Sequence, residues 1–342
     1  MEGIRTMKTR SQTIANSVSR VLIGTTIFII LLAITGMIYQ TAAAESDRRK
    51  YPPPGVLVNV DGHKMHIYCI GEGSPTIILD HEGSGSSMDW ALIQPKLAEQ
   101  TRVCAYDRAG FGWSEPNPAP RTMEQQVHEL HELLRGANEL GPYILVGHSY
   151  GARVSRVYAA RYPDEVTGMV LMDAGILADD RRYPPELRLQ AESDNKMIRT
   201  ANRLAPFGIV RLAWPLMGLP SYDLSEDAKL ASASFVVSSH HFQSLIAQGV
   251  SMPTVLQEEH EVTSLGDIPL LILVSTEPED AVRKVWNQAN IEMAGLSTNG
   301  TYRIVDGATH MSLVYRSADA QVCVNGILDV LDAVRTGAPL HS

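Results

Sequence analysis

The hydrophobic positions first gather in one uninterrupted block. Residues 21–39, VLIGTTIFIILLAITGMIY, are 19 positions without a charge, about the length that spans a bilayer as a helix. Arg5, Lys8, Arg10 and Arg20 precede it; Arg48, Arg49 and Lys50 follow, partly offset by Glu45 and Asp47. The slight basic excess on the N-terminal side predicts a cytoplasmic tail over 1–20, a membrane segment over 21–40 and a body outside. Residues 41–55 read as a linker, with Tyr51-Pro52-Pro53-Pro54-Gly55 as a stiff spacer. A cleaved signal peptide is the rival reading, because Ala42-Ala43-Ala44 offers small residues to a peptidase, although a signal peptide's apolar core usually runs only about 7–15 residues. The first reading is a single-pass membrane protein with an extracytoplasmic domain; the second is a secreted one.

From residue 56 the pattern changes to short apolar runs alternating with amphipathic ones. VLVNVDG and KMHIYCIG predict a hairpin turning at Asp61-Gly62. TIILDHE, RVCAYD, YILVG, GMVLMD, IPLLILVS and YRIVDG predict further strands. Helical spacing marks about 90–100, 122–138 (Val127, Leu130, Leu133 and Leu134 on one face), 150–161 and 319–335. Apolar strands separated by helices predict an α/β fold, a mostly parallel sheet covered on both faces. Between Asp173 and Ile268 the alternation fails. Trp214, Met217, Phe235 and Phe242 recur there at helical spacing. Residues 176–265 therefore read as a helical cap inserted into a core made of 56–175 and 266–342.

Composition narrows the classes. Hydrophobic residues are 44% and charged ones 20% of the 342 positions, which excludes a disordered chain and a multi-span membrane protein. The net charge of −9 hides an asymmetry: residues 1–50 carry seven basic and three acidic side chains, the other 292 carry 22 and 35. A body of net −13 lacks the basic face that nucleic acid requires. Three cysteines are too few for a disulfide-built scaffold.

One motif carries the chemistry. Gly147-His148-Ser149-Tyr150-Gly151 follows an apolar strand and opens a helix, which is G-x-S-x-G in the context that gives it meaning. The turn lifts the serine hydroxyl above the sheet edge and sets the Tyr150 N–H at a helix N-terminus, where developing negative charge is stabilised. With Tyr106-Asp107-Arg108-Ala109-Gly110-Phe111-Gly112-Trp113-Ser114, which is similar to a D-x-R-G-x-G-x-S segment, it makes the chain from about 56 to 335 resemble the α/β-hydrolase-fold superfamily, in particular its capped serine hydrolases of the esterase or lipase type. Ala152 stands where many members have a second glycine, and Ala109 replaces another. Asp107 and Arg108 are expected to brace loops.

The resemblance implies an α/β-hydrolase fold, a Ser-His-acid triad and no metal or cofactor. Ser149 is the expected nucleophile and His310, just after the last strand, its base. Two places for the acid stay open: Asp173 at the end of GMVLMD, and Asp280 or Glu277 after IPLLILVS. Tyr150 N–H is one expected oxyanion donor. The other belongs to His81-Glu82-Gly83-Ser84-Gly85, with Gly83 the best candidate and Glu82 a departure from the family's His-Gly or Gly-Gly. His81 is a candidate pocket residue, whereas His240, His241 and His260 read as solvated cap residues. Cys69 and Cys104 lie on strands that neighbour each other in this fold, so a disulfide or two buried thiols are both open. The expected reaction is hydrolysis of a carboxylic ester or related acyl bond in a small-molecule acyl substrate, with the membrane as a partner through the N-terminal helix. Aspartate-nucleophile dehalogenase and epoxide hydrolase chemistry does not fit Ser149. An acyltransferase and a catalytically silent, membrane-tethered binding module remain the alternatives.

Overall fold

Eight strands assemble into one sheet in a computed structural model that describes residues 2–175, 185–216, 222–278 and 280–340. They are β1 (Val56–Val60), β2 (His63–Ile70), β3 (Thr76–Asp80), β4 (Val103–Tyr106), β5 (Tyr143–His148), β6 (Val166–Met172), β7 (Leu270–Glu277) and β8 (Gly300–Thr309). Their order across the sheet is β1-β2-β4-β3-β5-β6-β7-β8. β1 and β2 form the antiparallel hairpin that Asp61-Gly62 predicts, and β2 runs antiparallel to β4; every other pair is parallel. That pairing sets Cys69 opposite Cys104, and the two are joined in a disulfide; Cys323 is free and buried.

Helices cover both faces. In chain order the described helices are α1 (Glu2–Lys50), α2 (Gln94–Leu97), α3 (Met123–Gly136), α4 (Tyr150–Arg161), α5 (Pro185–Leu204), α6 (Ile209–Ala213), α7 (Glu226–Val236), α8 (Ser239–His260), α9 (Ala281–Met293), α10 (Ser312–Tyr315) and α11 (Ser317–Thr336). Side chains alternate across a strand, so each central strand feeds two cores. Ile78, Leu145, Leu171 and Ile272 pack with the apolar stripe of α3 on one side. Ile77, Val146, Val170 and Leu273 pack with Trp90 and the inner face of α11 on the other. The helix expected over 90–100 is shorter than its pattern suggested. Pro95 lacks an N–H and can only begin a helix, so the segment splits into a 3-10 turn at Ser87–Trp90 and the single turn of α2.

Helices α5 to α8 lie between β6 and β7 as an inserted helical region. The expected cap boundary at residue 176 and the candidate Met217 fall outside the described residues. α8 is tied to α4 by Glu259, buried between Arg153 (2.6 Å) and Arg156 (3.4 Å).

Within α1, Asn16–Lys50 is long and apolar enough to cross a membrane. The helix continues past residue 40 to Lys50, so the connecting segment narrows from 41–55 to 51–55. Ala42, Ala43, Ala44 and Glu45 are strong helix formers, and Glu45 pairs with Arg48 and Arg49 one turn on. α1 also docks on the inserted helices. Gln40 is buried, donates to the Val237 carbonyl (3.3 Å) and accepts from Arg211 (3.0 Å), while Asp47 pairs with Arg211 at 2.5 Å.

Candidate active site

The parallel order brings the loops after β3 and β5 together at the centre of the sheet's C-terminal edge, where open α/β sheets hold their ligands. Ser149 sits between β5 and α4 with φ 54° and ψ −113°, a left-handed region that a side chain occupies only under constraint. The flanking glycines supply that constraint. A Cβ on Gly147 would stand 2.4 Å from the Ala152 backbone, and one on Gly151 would stand 2.3 Å from the Asp80 carbonyl oxygen. The Ser149 N–H is held by the Met172 carbonyl at 2.9 Å.

His310 follows β8, and its Nδ1 lies 2.6 Å from Asp173 Oδ2. Asp173 leaves β6 with φ 48° and is fully buried. Burial works to raise its pKa. The hydrogen bond and charge of His310, then the Arg283 guanidinium (2.8 Å) and the Ser275 hydroxyl (2.8 Å), outweigh burial and bring it down to about 2. Asp173 is therefore an anion, and His310 Nδ1 carries the proton between them. Asp280 is engaged elsewhere: it is the N-cap of α9, its Oδ1 accepting from the Arg283 N–H at 2.7 Å. Glu277 ends β7 exposed, in register with Thr309. The structure thus brings Asp173, and neither of the other two acids, to the His310 hydrogen bond.

The loop after β3 is held by Arg108. Its guanidinium forms a buried ion pair with Asp80 and donates to the carbonyls of His81 (2.6 Å) and Glu82. His81 is fully buried rather than lining a pocket. Burial, and then the Arg108 charge, push its pKa well down; its Nδ1 donates to the Glu82 carbonyl (2.7 Å) and its Nε2 accepts from the Arg108 N–H. Gly83 lies beside Tyr150, whose Cβ would be 3.6 Å from a Cβ on Gly83. The Tyr150 hydroxyl accepts from Gln126 at 2.8 Å, which fixes the first turn of α4. Asp107 braces the same region, accepting from the Ser87 N–H (2.6 Å), the Trp113 N–H (2.9 Å) and His66 Nδ1 (2.9 Å).

Above this loop is a cavity of about 300 Å³, walled by Glu82, Asp89, Trp214, Phe235, His241 and Met311 among others. His241 is not solvated as its sequence context suggested. Ser238 caps α8 by accepting from the His241 N–H (3.2 Å), and the first turn then points the imidazole inward against Phe111. Burial lowers its pKa to about 4. Asp89 accepts from the Tyr315 hydroxyl at 2.6 Å; burial, then the neighbouring charge of Glu82, raise it to about 8. A second, more polar cleft of about 600 Å³ between α3, α4 and α8 lies away from Ser149.

A sequence profile described as the alpha/beta hydrolase fold matches residues 75–316. The chain belongs to the α/β-hydrolase fold family. It is an α/β-hydrolase-fold enzyme with an inserted helical region. It is 35% identical over 118 residues to the uncharacterised protein YqjL of Bacillus subtilis, which covers 34% of this chain and 47% of that one. It is 32% identical over 123 residues to the 2-hydroxy-6-oxo-2,4-heptadienoate hydrolase of Pseudomonas putida, covering 35% and 44%. The chain thus spans about half the length of the curated relatives it matches. Among solved structures, a thermophilic esterase from Thermogutta terrifontis superposes with a TM-score of 0.59 at 20% identity, covering 82% of this chain and 98% of that one. A haloalkane dehalogenase variant from Bradyrhizobium elkanii gives 0.62 at 19%, covering 83% and 99%. Both show the shared fold.

Three residues beside the α/β-hydrolase elbow were not among the candidates that the sequence offered. Arg283 and Ser275 meet Asp173 only because β6 and β7 are parallel neighbours. His148 donates from Nε2 to the His310 carbonyl (3.0 Å), and burial together with His310 lowers its pKa to about 3. The spacing of Asp280 and Arg283 in the first turn after β7 is the one clue that points to a cation there. Among the described residues, Cys69, Cys104 and Glu139 cluster at metal-ligand distances, but a disulfide leaves no thiolate to bind an ion.

Proposed function

We propose that this enzyme hydrolyses a carboxylic ester, or a related acyl bond, through an acyl-enzyme on Ser149. The hydrogen bond from His310 Nδ1 to an ionised Asp173 is the observation that carries the reading. It leaves Nε2 as the nitrogen free to take the Ser149 proton. The serine oxygen attacks the acyl carbon, and the Tyr150 N–H with a backbone amide near Gly83 binds the oxyanion. The imidazolium then protonates the leaving alcohol, and water, deprotonated by the same imidazole, releases the acid. Asp173 holds the tautomer and stabilises the imidazolium, assisted by Arg283 and Ser275. The relative named for heptadienoate hydrolysis supports hydrolysis as the reaction class.

The N-terminal helix is read as a retained anchor with the catalytic body outside. Cleavage after Ala44 would strip Gly36, Tyr39 and Gln40 from the cap they pack on, which supports retention over a signal peptide. The disulfide supports an oxidising compartment.

The test is labelling by a fluorophosphonate read by intact mass. Wild type is expected to take one adduct, with Ser149→Ala taking none and His310→Ala losing about 10⁴-fold or more of its ester turnover. Labelling or turnover that survives Ser149→Ala would sink the mechanism.

A further inference from the structure

The membrane segment, the cap and the cavity meet at one place. The 19-residue apolar run ends at Tyr39; at about 1.5 Å per residue it matches a hydrocarbon core of about 30 Å. Gly36 and Tyr39 therefore stand in its outermost turn. The cap packs on that turn: the Phe207 carbonyl oxygen sits 2.4 Å from where a Cβ on Gly36 would be, and Tyr39 closes on Gly208. Farther from the membrane, Gln40 and Asp47 hold Arg211. The chain directly after Gly208, which is α6 and the 3-10 turn Trp214–Leu216, thereby lies beside the first turns of α1 that follow the apolar run.

This segment exposes Ile209 (45%), Leu212 (63%) and Leu216 (87%) at i, i+3 and i+7, one helical face. A contiguous aliphatic face is costly in water and favourable in an acyl boundary. Trp214, on the same turn as Leu216, lines the cavity with Met311, the neighbour of His310. One turn of chain thus separates this aliphatic face from the cavity that Met311 also lines. In the cavity wall, the Glu82 carboxylate disfavours an anionic headgroup, while Lys229 is paired with Glu226 at 2.9 Å.

We propose that the substrate is an uncharged long-chain acyl ester that resides in the bilayer and enters the cavity laterally past the Leu212–Leu216 face. The proposal rests on the acyl-hydrolase reading above and names its substrate class and route. The anchor keeps the enzyme on the membrane whatever the face does, so the face governs entry and not attachment.

The full-length chain reconstituted in phosphatidylcholine vesicles tests it. Turnover of 4-methylumbelliferyl oleate dissolved in the bilayer is compared with that of the water-soluble acetate ester. L212E/L216E is expected to lose about tenfold or more on the oleate and to stay within about twofold on the acetate. No change on either ester, or a parallel loss on both, overturns lateral entry. A bimane on Leu216→Cys is expected to be quenched by doxyl-labelled lipid, and one on the exposed Asp332→Cys is not; an unquenched Leu216 site overturns the proposal whatever the kinetics. Failure of the underlying reading is seen separately, as wild type that turns over neither ester and takes no fluorophosphonate, and it removes the proposal with it.

Discussion

A carboxylate in this protein is defined by what faces it. Asp173 is buried yet ionised, because His310, Arg283 and Ser275 together give its charge more than desolvation takes away. Asp173→Asn keeps the shape but favours the wrong imidazole tautomer, so kcat on a short ester is expected to fall about 10⁴-fold with the melting temperature of the domain largely kept; activity close to wild type would exclude Asp173 as the triad acid. Asp89 is the opposite case. It is 2% exposed and meets Glu82 rather than a cation, so its folded pKa is raised to about 8. A raised folded value means that the native state holds this proton more tightly than the unfolded chain. The contribution to stability is fully present below about pH 4 and is lost as pH rises through about 8. Asp89→Asn cannot lose a proton, so it is expected to flatten the decline in Tm across that window, measured by thermal denaturation over a pH series. An unaltered slope would mean that Asp89 is ionised throughout.

At the scale of elements, the second acid candidate finds its explanation. Asp280 serves the helix it begins, accepting the Arg283 N–H and thereby fixing the turn from which the Arg283 side chain reaches Asp173. Asp280→Ala is expected to cost about 1 kcal/mol of stability in a denaturant titration while ester turnover falls far less than for Asp173→Asn. A loss equal to that of Asp173→Asn would move the acid to Asp280. The elbow is likewise a property of two elements rather than of one residue. Gly147 and Gly151 are required because β5 and α4 approach each other and the end of β3 too closely for a Cβ. Ala152, where many members of the family have a further glycine, is accommodated in full burial.

At the scale of the whole molecule, one disulfide ties the antiparallel edge of the sheet to its parallel part. Cys69 and Cys104 are separated by 35 residues and close the hairpin edge onto β4. Cross-linking a loop of that length removes about 3–4 kcal/mol of unfolded-state entropy. Adding reductant, or replacing both cysteines with serine, is expected to lower the melting temperature by several degrees, with intact mass confirming the bridge beforehand. No shift on demonstrated reduction would show that the bridge adds nothing to stability.

The reach of the sequence follows the range of the forces involved. Strand and helix identity, the G-x-S-x-G turn, the membrane-length helix and His310 after the last strand are set by local patterns, where a period of two or 3.6 residues, a required glycine or a run of uncharged residues acts within a few positions. The short α2 and the extension of α1 to Lys50 depart from the helix expected over 90–100 and the linker expected over 41–55, although their causes, Pro95 and the alanines with Glu45, are equally local. The choice of Asp173 as the partner of His310 is not local. It depends on β6 and β7 lying side by side, which carries Arg283 and Ser275 to Asp173 across about a hundred residues of chain. The burial of His241, the proton on Asp89 and the seating of Gly36 on Phe207 have the same origin. Desolvation and charge pairing are properties of position in space, and only the tertiary structure decides which side chains share it.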